Sequence, residues 1–210
     1  MYGDLKRVFN ADYISRLDNI KQWLERDRIQ QESVTQHSFK VSVFANCILD
    51  ELWPDEKADL KIMKFKYQTL KMAMYHDFDE AVLCRDISHE LKYNGYNGEQ
   101  IRQALDDYVN HVFRVWDNDN DSNIAKLMLK KVPNYQLMHA IVKVADWFAL
   151  LFFLCREAEI SHASWVKNHI TYCNEGCQKA ITNLFFMLKV EGFDFDEEYM
   201  NGLIRLLPNY

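Results

Sequence analysis

Ala140-Ile141-Val142-Lys143-Val144-Ala145-Asp146-Trp147-Phe148-Ala149-Leu150-Leu151 is apolar on almost every side. Such a segment, flanked by similar residues from about Gln136 to Glu159, is expected to form a helix inside a hydrophobic core. Asp146 stands in the middle of it. A carboxylate is costly to bury unless it is ion-paired, hydrogen-bonded or bound to a metal. This one segment therefore predicts both a helical core and a polar group with a task inside it.

The rest of the chain agrees with a helical core. Its 210 residues are 49% hydrophobic and 27% charged, with only 6 Gly and 3 Pro. A sandwich, a barrel or a Gly-rich phosphate loop needs more turn-formers than that. The expected fold class is all-α, in one domain spanning residues 1–210. Helices are read over about Asp12–Trp23, Val34–Leu52, Glu56–Tyr75, Asp79–Cys84, Glu99–Trp116, Asn123–Lys131, Gln136–Glu159, Ala163–Val190 and Asp196–Leu206. Asp86–Gly98 reads as a surface loop.

The formal net charge is −6, which opposes stable binding to nucleic acid. The five Cys have no disulfide-like spacing, and Met1-Tyr2-Gly3-Asp4 does not read as a signal peptide, so the expected compartment is the cytoplasm. The longest uninterrupted apolar run, Trp147 to Cys155, is too short to span a bilayer, and no membrane partner is expected.

Two further sites hold polar residues in unusual places. His76-Asp77 closes the amphipathic stretch Leu70-Lys71-Met72-Ala73-Met74-Tyr75. Neighbouring side chains diverge by about 100° on a helix, so the two can share a metal only across the helix end. His37 lies at the start of the next long helix upstream, in Glu32-Ser33-Val34-Thr35-Gln36-His37-Ser38. Imidazole nitrogens with carboxylate oxygens suit Mn, Co, Fe, Zn or Mg. Singly, each residue is equally at home as a capping, solvated or ion-paired group. Together they form the ordered pattern His, His-Asp, Asp on successive long helices.

With their flanks, these residues resemble the HD-domain phosphohydrolases, and among them the YfbR-like 5'-deoxynucleotidases. Four pieces carry the likeness: Ile14-Ser15-Arg16-Leu17 followed by Trp23, the His37 motif, Met74-Tyr75-His76-Asp77-Phe78-Asp79-Glu80, and Lys143-Val144-Ala145-Asp146. The matching core spans about residues 12–159, and the helices of about 160–210 carry no matching motif. The resemblance implies a compact HD-domain helical bundle with one divalent ion (Mn, Co, Mg or Zn) held by His37, His76, Asp77 and Asp146. Glu80 takes the position of the catalytic Glu. Trp23 would pack on the deoxyribose, Asp86 would contact the 3'-hydroxyl, and Lys92 would face the phosphate. The implied reaction converts deoxyribonucleoside 5'-monophosphates to deoxynucleoside and phosphate. Members are commonly homodimers.

Two departures fall on the substrate side. Gln22 stands where the family has an Arg associated with phosphate, and Arg26 or Arg28 are the cations nearest in sequence. The segment between Glu80 and Asp86 is one residue longer than usual, and Arg85 replaces a Gly. Some relatives hydrolyse deoxynucleoside triphosphates, among them a phage dATP triphosphohydrolase branch. A triphosphohydrolase with the same metal site, or a non-catalytic nucleotide-binding protein, are therefore the alternative readings.

Other signals carry less. Asp117-Asn118-Asp119-Asn120-Asp121 begins like a calcium loop, but Ser122 stands at the glycine position and Met128 at the twelfth. His169, Cys173 and Cys177 share a helix face without zinc-finger spacing. Trp23 also continues the Ile14, Leu17, Ile20 stripe, and Trp147-Phe148, Phe152-Phe153 and Phe185-Phe186 read as core or subunit interface.

Overall fold

The structure, a computed structural model, describes residues 16, 18–21, 29–54, 59–78, 80, 100, 103, 107, 132–161, 164–193 and 197–208. Its helices are α1 (Val34–Leu52), α2 (Leu60–Tyr75), α3 (Tyr135–Ile160), α4 (Ser164–Val190) and α5 (Glu197–Arg205). The all-α fold class holds: among the described residues the only extended pairing is one isolated antiparallel bridge, Lys21 to Ser33. The chain forms two compact units interleaved in sequence. The first is Met1–Asp27, Gln31–Ser38 and Tyr75–Pro133, and the second is Arg28–Gln30, Phe39–Met74 and Asn134–Tyr210.

Local chemistry sets the helix ends. Ser33 and Gln36 form a reciprocal box at the start of α1: the Gln36 amide donates to Ser33 Oγ at 3.2 Å, and the Ser33 amide to Gln36 Oε1 at 2.9 Å. The helix then runs to Leu52, as the periodicity predicts, and Trp53 and Pro54 follow it. At α2, Asp59 Oδ1 accepts from the amides of Lys61 and Ile62 at 2.8 and 2.9 Å. That cap starts the helix at Leu60 rather than near Glu56. At the end of α4, Gly192 takes φ +77°, while the Phe193 amide returns to the Leu188 carbonyl and the Gly192 amide to that of Lys189. This is a Schellman closure, which favours glycine because the left-handed backbone crowds a Cβ. Phe193 then packs edge-on to Trp53, their ring centroids 5.0 Å apart.

The first helix was expected to continue to Trp23. It ends instead before Ile20, whose amide donates to the Arg16 carbonyl and whose own carbonyl accepts from Val34. Lys21 pairs with Ser33 in the next step, so a non-local ladder replaces the helical turn that amphipathic spacing alone would continue.

The core of the second unit is built on α3 and α4. Helix α3 buries Leu137, Met138, Ile141, Val144, Ala145, Ala149, Phe153 and Leu154, and α4 buries Val166, Ile170, Cys173, Cys177, Ile181, Leu184 and Leu188. Helix α3 is long and apolar enough to cross a membrane, but 61% of its most apolar window is buried inside the protein, as in a core helix. The doubled phenylalanines divide by face: Phe153 and Phe185 are buried, whereas Phe152 and Phe186 are exposed.

The α3–α4 seam contains one close approach. A Cβ at Gly176 would stand 2.5 Å from Cζ2 of Trp147. The same indole meets the Tyr172 ring edge-on and carries the Lys143 ammonium 5.1 Å above it. Alanine would gain up to about 1 kcal/mol of helix propensity here, but it would force a rigid bicyclic ring out of its seat. Gly176→Ala is expected to destabilise the fold by about 1–3 kcal/mol in denaturant titrations.

Candidate metal centre

The capped first turn of α1 carries His37 inward, leaving it 1% exposed. Helix α2 ends at Tyr75, and His76, Asp77 and Phe78 form a turn closed by the Phe78 amide on the Tyr75 carbonyl at 3.1 Å. Phe78 is buried and meets the Tyr75 ring at 5.9 Å, which anchors that turn. The HD pair thus sits beyond the helix end, as sharing one ion requires. His76 and Asp77 are in the turn, and only Glu80, whose amide donates to the Asp77 carbonyl at 3.0 Å, has resumed helical backbone.

Within the first unit these residues converge. Asp77 Oδ2 lies 3.0 Å from His76 Nε2 and 4.0 Å from His37 Nε2. The two imidazoles are tilted with centroids 5.4 Å apart, and each offers a ring nitrogen within 4.8 Å of the other. Ligands bonded to one cation at about 2.0–2.2 Å stand roughly 3–4 Å apart, so this donor set fits a divalent ion. Glu80 is buried in the same unit, and so is Glu32, at the base of α1. Glu32 was not singled out from sequence, because its burial is visible only in the structure.

Asp146 belongs to the second unit and is described there by its own surroundings. Its side chain is 15% exposed and accepts from Lys143 Nζ at 2.8 Å. That lysine, one turn earlier on α3, is itself held over Trp147. Gln22, Trp23, Arg85, Asp86 and Lys92 lie outside the described residues, as do Arg26, Arg28 and the Asp117–Asp121 stretch.

Among the described residues, His169, Cys173 and Cys177 do not form a group whose ligand atoms converge. Cys173 and Cys177 are buried in the α3–α4 seam, and His169 stands edge-on to Trp165 at 5.5 Å. Burial first, then the negative charge of Asp146, pushes the Cys173 thiol up to about 12. Burial, with Cys173 and Asp146 nearby, pushes Cys177 up to about 12 as well. Without a metal, this setting keeps both thiols protonated at neutral pH.

Both thiols hold their protons more tightly folded than unfolded. Their contribution to stability is complete below about pH 9 and is lost as the pH rises through the window from 9.0 to about 12. Unfolding free energy measured across that range should fall, and replacing both thiols with alanine should flatten the fall. Under native conditions near pH 8, alkylation should label exposed Cys47 and spare Cys173 and Cys177 until the protein unfolds.

Comparison with known proteins bears on the family and the fold. A family model described as 5'-deoxynucleotidase YfbR-like matches residues 9–190. A comparison with curated proteins returns no match. Among solved structures, the PH0347 protein from Pyrococcus horikoshii OT3 is similar at 18% sequence identity and a TM-score of 0.59, over 98% of this chain and 99% of that one. At that identity the likeness concerns the fold.

Proposed function

The chain belongs to the YfbR-like 5'-deoxynucleotidase family, and from that premise we propose that it is a metal-dependent phosphohydrolase of deoxyribonucleoside 5'-monophosphates. The observation that carries the reading is the convergence of His37, His76 and Asp77 around a common space, with buried Glu80 one turn beyond. Two neutral imidazoles and a carboxylate, with Asp146 as fourth ligand, would hold one divalent ion at about zero net site charge. When bound, such an ion polarises a phosphoryl oxygen and acidifies a water.

The chain's own residues supply the rest. In this reading Glu80 accepts the proton of the attacking water as its oxygen bonds to phosphorus. The bond from phosphorus to the 5'-oxygen breaks, and Glu80 returns the proton to that leaving oxygen. Deoxynucleoside and phosphate depart. Trp23 packs against the deoxyribose and leaves no room for a 2'-hydroxyl, Asp86 accepts from the 3'-hydroxyl, and Lys92 faces the phosphate. Gln22 and Arg85 modify that phosphate end, and they are where a triphosphohydrolase would differ. The proposal includes a cytoplasmic homodimer without stable nucleic-acid or membrane partners. The exposed Tyr172, Phe186 and Val190 of α4 support a subunit contact.

The test is a panel of dNMPs, NMPs and dNTPs with Mn, Co, Mg and Zn, the released phosphate species being separated by chromatography. Orthophosphate from several dNMPs with NMPs spared is the expected outcome. Tripolyphosphate from a dNTP would move the protein to the triphosphohydrolase reading, and no turnover with any metal would favour a non-catalytic nucleotide binder. Glu80→Ala should lower kcat by about 10²–10⁴-fold while metal content holds. Asp146→Asn should weaken metal binding at least about tenfold by calorimetry, and unchanged affinity would remove Asp146 from the ligand set.

A further inference from the structure

His37 stands in the first turn of α1, and helix ends are where the backbone frays. Its amide donates to the Ser33 carbonyl at 2.9 Å, the first bond that a helix beginning at Val34 can make. The imidazole therefore keeps its direction only while that turn stays closed.

Ser33 closes it, from a position with no exposure to solvent. Its hydroxyl works in both directions: Oγ accepts from the Gln36 amide at 3.2 Å and donates to Asp18 Oδ1 at 3.4 Å. Its own amide donates to Gln36 Oε1 at 2.9 Å. The Ser33 backbone also pairs with Lys21, and the Val34 amide donates to the Ile20 carbonyl at 3.0 Å, with both Val34 and Ile20 buried. All of these residues belong to the first unit, as do His76 and Asp77. By contrast α2 starts on one acceptor, Asp59 Oδ1, which takes the amides of Lys61 and Ile62. The denser fastening falls on the turn that carries a donor of the cluster.

We propose that Ser33, together with Gln36, is a positioning residue for His37: their reciprocal bonds keep the first turn of α1 closed, so that the imidazole stands beside His76 and Asp77 before a divalent ion arrives. The inference rests on the functional reading above, in which His37 is a metal ligand. Neither Ser33 nor Gln36 touches the ion in this scheme. Their effect is on the fraction of chains that hold the donor in place, and apparent affinity falls with that fraction.

The experiment measures Mn²⁺ binding by calorimetry and amide hydrogen exchange, both on the full chain. Ser33→Ala should weaken Mn²⁺ binding at least about fivefold, and Gln36→Ala, at an exposed position, at least about twofold. The His37 amide should exchange at least about fivefold faster in both. Ser33→Thr keeps the hydroxyl and should bind Mn²⁺ within about twofold of wild type. Asp59→Ala is the matched control: it loosens the start of α2 instead, and Mn²⁺ affinity should stay within about twofold. Unaltered affinity in both Ser33→Ala and Gln36→Ala, binding in Ser33→Thr as weak as in Ser33→Ala, or an equal loss in Asp59→Ala would each overturn the proposal. His37→Ala separates the two levels of the argument. Unaltered Mn²⁺ binding in His37→Ala removes His37 from the ligands and this inference with it. Weakened binding there, beside wild-type binding in Ser33→Ala and Gln36→Ala, overturns this inference alone.

Discussion

An ionisable side chain taken out of water must find a partner, and the described structure is organised around that requirement. Its helices bury Val, Ile, Leu and Phe with little difficulty. What distinguishes the chain is the small set of polar groups carried inward with them: His37 and Glu80 in the first unit, Glu157 and most of Asp146 in the second. Each has a different solution. Asp146 takes a lysine on its own helix, Glu157 takes two backbone amides, and His37 faces His76 and Asp77. The last arrangement gathers donors of the kind a divalent ion takes.

The turn after α2 makes that gathering possible. Adjacent residues on a continuous helix diverge, and a His-Asp pair in mid-helix would point two ways. Ending α2 at Tyr75 and burying Phe78 turns the backbone at the pair, so that both side chains face one space while Glu80 follows on the next helical start. The family implies a divalent metal, and the cluster of His37, His76 and Asp77 at this turn is of a kind that can hold one.

Composition and periodicity were sufficient for the helical class, and for α1 they were sufficient to the residue: Val34–Leu52 is both the expected and the observed span. The same is nearly true of α3 and α4, whose apolar faces are long and uninterrupted. Asp146, the His76-Asp77 pair and His37 stood out as polar groups in unusual places, whereas Glu80 was reached only through the family resemblance of the segment that carries it. The tertiary structure decided what depends on residues distant along the chain. The first helix stops at Ile20 because Val34 and Ser33 come back to pair with its end, Glu157 is an anchor because Ile29 and Gln30 lie against it, and Gly176 is glycine because Trp147 fills its space. Helical periodicity is a property of residues three and four apart, whereas a carboxylate's partner or a ring's seat is set by packing, which brings together positions that the sequence keeps far apart.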